Sequence, residues 1–467
     1  MVLSITQQAS SLVDRSAEWL RHERVEAIET WLRARAITTH CPYIYPPTSR
    51  YTALGPEVYG EPDDWGARHP SLYVHVPYCL YRCSFCNFAL DELRHTGTPV
   101  QLFLELLERE ADALLARTGR AKVPIGTLYI GGGTPSVLTV DQLERLLTIV
   151  AARFPADPDA ELTVEVNPET VCNQDRQKPA VLKRHGVNRV SMGVQILEDE
   201  LLQMLGRRHR VNTVDAAVAA LRDAGIETLN IDLMHDLPRL TPEIWQRSLE
   251  RAVALGPDSI TVYELRISPE SKLTVLSGER RYGPRLFQAM AHLFLTERGY
   301  ARTSSNQYVR AARHMQRHYV DVRERLVDVI GLGVSAIAKV GPFSFNATRS
   351  VQAWSAEVEA GRQTYEGVKM TQAEQCSRAV VLGLKSPRGI SLETFRERLG
   401  CDLSSAFPGA LAMAMEQGLI EQHAGCVRTT APGGFLLDQV ASLFFQHIDH
   451  ETIQSREVEH LGVRWHR

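Results

Sequence analysis

Three cysteines fall within eight residues, Cys79-Leu-Tyr-Arg-Cys83-Ser-Phe-Cys86, while the other five, at 41, 172, 376, 401 and 426, stand singly. Single cysteines in a reducing compartment serve as small buried apolar side chains, and disulfides are disfavoured there. Three thiols on one tight loop suit a soft metal centre. Structural zinc takes a closed set of four ligands, often as two separated CxxC pairs. No second pair exists in this chain, although His75 could complete such a set. A 4Fe-4S cluster usually takes four cysteines. Three would leave one iron without a protein ligand, open to a substrate or cofactor.

Other elements must aim these cysteines. From residue 72 onward, short β-rich runs alternate with helical runs. LYVHVPY reads as a strand entering the cysteine loop, 99–117 as an amphipathic helix, and TLYIGGGTPS as a strand ending in a glycine-rich turn. The alternation continues with a helix over 139–154, the strands ELTVEVNP and VNRVSMGVQ, and helices near 198–205 and 212–224. The strand IETLNIDLM, a helix over 242–254 and the strand SITVYELRIS complete it. This pattern predicts an α/β fold, a parallel sheet with crossover helices, open or curled into a barrel. Ligand sites in such sheets lie at the carboxyl ends of strands. The cysteine loop, the GGGT turn, Asn167, Gln195, Asp232 and Glu264 all fall at predicted strand ends.

The flanks differ. Residues 11–36 have helical periodicity, and 41–70, rich in Pro, Gly and Tyr, read as an irregular arm. A helical run lies within 277–301, 304–345 is mixed, and 350–400 is mainly helical. Residues 391–446 give helix, helix, a short β piece and a last helix, the order of a winged-helix-like module. Its helix over 409–418 has no basic face, so nucleic-acid binding is not expected. With 467 residues, 44% hydrophobic and 23% charged, the chain suits two or three globular domains. A net charge of −3 offers no surface for nucleic acid or anionic lipid. No apolar run approaches the roughly 18 residues of a membrane span, and no signal peptide is read at the N-terminus. A cytoplasmic setting is the expectation.

CxxxCxxC at the end of a first strand, followed by a GGGTP turn, resembles the radical S-adenosylmethionine (SAM) superfamily. YVHVPYC, CSFC, YIGGGTPS, VEVNPE, SMGVQ, NIDLM-x-x-LP and GLGVSAI occur in the order and spacing of its coproporphyrinogen III dehydrogenase-like branch, over roughly residues 71–450. The resemblance implies a partial (β/α)6-type barrel over 71–300, after an N-terminal helix and arm over 1–70. A barrel extension with a second-SAM segment would occupy 301–375, and a C-terminal helical, winged-helix-like domain 376–467. It also implies a 4Fe-4S cluster on Cys79, Cys83 and Cys86. SAM would bind the open iron and be cleaved to methionine and a 5′-deoxyadenosyl radical. Gly132, Gly133 and Thr134 would take the methionine amino group, and Phe85 would lie against the adenine. Glu165, Gln195, Arg207 and Asp232 would hold SAM ribose or carboxylate groups. The branch binds a second SAM, which Tyr73 and Ile337 would flank, with Gln316 as a further contact. Tyr73 and Gln316 are the candidate catalytic residues.

Some positions depart from the branch. Coproporphyrinogen dehydrogenases proper carry Cys-Gly-Cys where this chain has Cys86-Asn87-Phe88. Heme chaperones carry a His-Asn-x-x-x-Trp-like motif where it has His314-Met-Gln-Arg-His318-Tyr319. If that stretch is helical, His314 and His318 share one face and could serve as axial ligands; solvated histidines are the plainer reading. His235-Asp236 replaces the usual Tyr-Gly, and Arg266 replaces a small residue. Either marks a different substrate, an acidic one for Arg266, or is neutral drift. Elimination leaves the two-SAM, class C methyltransferases. These pass a methyl or methylene group to an sp2 carbon of an aromatic, quinone, tetrapyrrole or peptide-derived substrate. Oxidative decarboxylation of the coproporphyrinogen type and heme binding are the alternatives. The family implies a reducing flavodoxin or ferredoxin as electron donor.

Overall fold

The computed structural model describes residues 11–34, 45–60, 65, 68–93, 97–172, 177–267 and 272–445. Runs of β-branched residues form six parallel strands: β1 (Ser71–Val76), β2 (Ile125–Gly132), β3 (Ala156–Val166), β4 (Arg189–Gln195), β5 (Thr228–His235) and β6 (Ser259–Glu264). They lie side by side in chain order, each paired in parallel with the next. Helices such as Thr98–Arg117, Val140–Arg153, Val211–Asp223 and Pro242–Ala254 make the crossovers. Coverage on both faces explains why β4 and β5 are buried almost throughout.

The sheet does not close. β7 (Gln307–Val309) runs antiparallel beside β6, and the short strand Ala301–Arg302 ends that side. On the other side β8 (Val329–Leu332) adds in parallel to β1. The antiparallel strands β9 (Ile337–Val340), β10 (Phe343–Ala347) and β11 (Tyr365–Lys369) follow, with Thr52–Leu54 at the edge. β11 interrupts the stretch 350–400 that reads as mainly helical. Pairing with β10 buries Tyr365, Gly367 and Val368, and that tertiary contact overrides local preference. The periodicity over 11–36 resolves into two helices, Leu12–His22 and Val25–Arg33, broken at Arg24, whose φ is 56°.

Beyond β11, helices Gln372–Gly383, Leu392–Leu399 and Pro408–Glu416 surround a three-stranded sheet of Ile390–Ser391, Cys426–Thr429 and Ile420–His423. This winged-helix-like module has its own hydrophobic core around Val380, Phe395, Leu419 and Val440. Leu20, Val25, Ile28 and Leu32 of the N-terminal helices complete that core. Part of the arm packs on the barrel, where the buried Tyr59 hydroxyl donates to Gly331 O at 3.2 Å. Among the described residues no helix is long and apolar enough to cross a membrane.

Candidate active site

β1 leads into a two-residue strand, Tyr78–Cys79, paired in parallel with Asp91–Glu92. This pairing closes the neck of the cysteine loop. Leu93 N–H donates to Cys79 O at 2.8 Å, and Asp91 N–H to Pro77 O at 2.7 Å. The Arg82 guanidinium spans the loop and donates to Phe88 O (3.2 Å) and Leu90 O (3.0 Å). Ser84 N–H fixes the tip to Leu205 O at 3.0 Å. Burial pushes the Cys79 thiol up to about 12, against the Thr134 hydroxyl at 3.3 Å; Cys86 and Cys83 push it the same way.

The three thiols thus sense one another's charge. Among the described residues, however, no three His, Cys, Asp or Glu side chains converge on a point that could hold one metal ion. Zinc requires its ligands within about 2.0–2.3 Å of a single atom. Three free cysteines on one loop are the donor type a 4Fe-4S cluster takes, so this donor set fits the cluster. His75 is not a fourth ligand. It is buried, its Nε2 meets Ala89 O at 3.1 Å and its Nδ1 meets the Tyr73 hydroxyl at 3.0 Å. Burial lowers its pKa to about 4.

His75 instead braces the glycine turn. A Cβ on Gly132 (φ 106°) would lie 2.6 Å from its ring, and one on Gly133 would lie 2.4 Å from Tyr78 O. Only glycine permits this approach. Gly133 N–H donates to Val76 O (2.8 Å) and Thr134 N–H to Tyr78 O (2.7 Å), which locks the turn onto the start of the cysteine loop. From Thr134 a hydrogen-bonded chain crosses the carboxyl ends of the strands. Asn167 Nδ2 donates to Thr134 Oγ1 (3.1 Å), Arg207 Nη1 donates to Asn167 Oδ1 (3.0 Å), and Arg207 Nη2 donates to Gly193 O. Burial works against the Arg207 charge, but Cys83, Tyr81 and Glu169 around it hold its pKa above the ordinary value.

Below this rim lie the remaining candidate SAM contacts. Glu165 accepts from the Tyr129 hydroxyl (2.6 Å) and Gly132 N–H (3.3 Å), and burial lifts its pKa to about 7. Asp232 accepts from Asn230 Nδ2 (2.7 Å) and the Ser191 hydroxyl (3.2 Å); burial raises it too. Gln195, at φ 74°, accepts from the Tyr263 hydroxyl. Phe85 is half-buried against the main core. Sequence reading placed Asn167 at a strand end without a role, and it passed over Tyr129, Tyr263 and the pair that seats the cysteine loop. In that pair Glu169 accepts from the Tyr81 hydroxyl and lies 3.3 Å from the buried His209 ring. The NPE and TVYE strand ends carried the available signal.

Tyr73 pairs in register with Gly331, and a Cβ on Gly331 would meet Ile337 O at 2.8 Å. The GLGVSAI segment therefore folds back beside Tyr73, with Ile337 56% exposed. Buried Glu110 fixes this turn. It accepts from Gly333 N–H (2.7 Å), Gln363 Nε2 (2.6 Å) and Trp354 Nε1 (3.3 Å), and burial lifts its pKa to about 7. Gln316 is not brought into this group; it is buried near Gln307 Nε2 at 3.5 Å, and no hydrogen bond joins it to Tyr73 among the described residues.

Four departures take on structural meaning. His314 ends a short turn (Ala312–His314) while His318 lies in the helix Arg317–Glu324, so they share no helical face. Both are buried at the amino ends of the strands, His314 against the Thr228 hydroxyl (2.9 Å) and His318 against that of Thr127 (3.3 Å). Neither is a solvated histidine, and each has its Nδ1 on a strand threonine. His235 is buried near Trp245 and Phe287. Asp236 takes a left-handed conformation (φ 60°) that suits the glycine it replaces, and pairs with Arg280 at 3.0 Å. Arg266 is tied to Asp438 of the C-terminal module at 2.8 Å, not held ready for an acidic substrate.

Two family models match the chain, the radical SAM superfamily over residues 73–252 and the HemN C-terminal domain over 370–436. The heme chaperone HemW of Synechocystis sp. is 30% identical over 338 residues, 69% of this chain and 79% of that protein. That of Escherichia coli is 34% identical, covering 58% of this chain and 70% of that one. The oxygen-independent coproporphyrinogen III oxidase of Paracoccus denitrificans is 27% identical, covering 86% and 92%. Among solved structures, coproporphyrinogen III oxidase (HemN) from Escherichia coli shares the fold, with a TM-score of 0.73 at 23% identity over 87% of this chain and 98% of that one. With models on both barrel and module, and relatives along most of its length, the chain belongs to the radical SAM superfamily, in the branch of HemW and the oxygen-independent coproporphyrinogen III oxidases, whose chemistry rests on a 4Fe-4S cluster and SAM.

Proposed function

We propose that this chain cleaves SAM in the site at the carboxyl ends of β1–β5 and uses a second SAM to pass a methyl or methylene group to an sp2 carbon. The observation that carries the first part is the continuous hydrogen-bonded path from Cys79 through Thr134 and Asn167 to Arg207. It links the cluster loop to the groups assigned to SAM. The cluster, when bound, supplies the electron that breaks the sulfonium bond. The chain's own part is positional. Gly132 and Gly133 admit the amino-acid end of SAM, Arg207 and Thr134 orient it, and Glu165 and Asp232 offer hydrogen-bond acceptors deeper in the barrel. Burial raises the pKa of both carboxyls above the ordinary range.

The second part rests on Tyr73, Gly331 and Ile337 lying together, and on Phe88 where the decarboxylating relatives carry cysteine. A second reading, heme handling, is favoured by relatives named heme chaperone HemW. The internal engagement of His314 and His318 weighs against those two as its ligands. Anaerobically reconstituted protein given dithionite and SAM should form 5′-deoxyadenosine and methionine. S-adenosylhomocysteine formed alongside supports carbon transfer. 5′-Deoxyadenosine without it, together with carbon dioxide release from coproporphyrinogen III, supports decarboxylation instead. Absence of both SAM products, with a Soret band on heme titration, would leave the heme reading standing.

A further inference from the structure

We propose that the joint between the barrel and the winged-helix-like module is a binding site for an amphipathic carboxylate. A cavity of about 280 Å³ lies at this joint. The barrel contributes Val322, Leu326 and Lys339 to its wall, and the module contributes Arg378, Leu382 and Arg398. Three cationic residues therefore line it, and none of its described lining residues is acidic. Ligand pockets run from about 300 Å³ upward, so the cavity suits a small ligand.

The cations are not equivalent. Lys339 is neutralised from behind by Asp328 at 2.8 Å. Arg398 Nη2 donates to Leu326 O at 3.0 Å. Arg378 Nη1 donates to Tyr45 O (2.8 Å) and to the Ser344 hydroxyl (3.4 Å), both uncharged acceptors. Its Nε is buried with no hydrogen-bond partner. Among the described residues no carboxylate lies within ion-pair distance of Arg378. Burial accordingly lowers its pKa from the ordinary arginine value. A guanidinium held among neutral groups in a desolvated wall is unfavourable unless an anion meets it. Guanidinium geometry matches a carboxylate. The apolar walls on both sides favour a hydrocarbon body behind that head group.

Decanoate is the probe. Titrated calorimetrically into the reconstituted full-length protein, it should bind saturably at one site, at least about tenfold more tightly than decanol. Arg378→Met should remove that preference. Arg378 also holds Tyr45 and Ser344, so Leu382→Trp provides an independent check by filling the cavity, and it should abolish binding of both probes. Absence of saturable decanoate binding, equal affinity for decanol, or unchanged binding by the Leu382→Trp protein would each overturn the proposal.

Discussion

Thr134→Val isolates one hydroxyl at the centre of the site. Valine keeps the shape of the side chain and removes the oxygen that meets Cys79 Sγ at 3.3 Å and accepts from Asn167 Nδ2 at 3.1 Å. Asn167 then holds a half-buried donor without its partner, and the same residue is the anchor for Arg207 Nη1. Leaving one such donor unsatisfied costs about 1–3 kcal/mol. At about 1.4 kcal/mol per factor of ten, that is a loss of roughly 5- to 150-fold in kcat/KM for SAM cleavage. The assay measures 5′-deoxyadenosine from reconstituted protein, dithionite and SAM, with iron and sulfide content checked in parallel. Thr134→Ser, which restores the hydroxyl, should recover most of the activity. A Thr134→Val protein with a full cluster and kcat/KM within about twofold of the parent would refute the argument. So would a Thr134→Ser protein as impaired as the valine variant, because shape and not the hydroxyl would then be at issue.

Cys83→Ala should lose the cluster's visible absorbance and all SAM cleavage; a brown, active variant would remove the basis of the whole site. Glu110 has its folded pKa lifted from 4.5 to about 7, so the folded state holds the extra proton across that window and stability falls as pH rises through it, by roughly 3 kcal/mol. Urea unfolding between pH 5 and 8 should show this fall in the parent and a flatter profile in Glu110→Gln. Asp236→Ala loses the Arg280 pair and puts a Cβ-bearing residue without a compensating side chain at φ 60°, whereas Asp236→Gly loses only the pair. The alanine protein should therefore be the less stable of the two by about 1 kcal/mol in thermal unfolding.

Strand–helix alternation made the parallel sheet legible, because strands covered on both faces are continuous apolar runs ended by Gly, Asn or Asp. The glycine turn could be found for a related reason: a Cβ at Gly132 or Gly133 has no room, so the constraint is written into residue type. The path through Asn167 and Arg207 was only half visible. Each residue has a short-range signal, but their meeting depends on the register of β3 and β4. The histidines at 314 and 318 misled because a four-residue spacing implies one helical face only if one helix contains both, and the chain starts its helix at Arg317. Strand β11 was missed because its identity comes from its partner β10. Asp236 looked like a change of substrate chemistry, yet its backbone conformation accounts for it.

The helices Leu12–His22 and Val25–Arg33 find their first partner in helix Pro284–Glu297, 251 residues further along (284 − 33), and the rest of their core only from Gln372–Gly383 onward. Synthesis at about 5–20 residues per second leaves roughly 13–50 s before that first partner is made, in which Leu20, Val25, Ile28 and Leu32 lack the neighbours they have in the fold. The barrel is made during that interval, so the nascent chain must keep an apolar stripe from engaging half-formed strands until its last module arrives. Slowing translation across the six parallel strands would lengthen the same exposure.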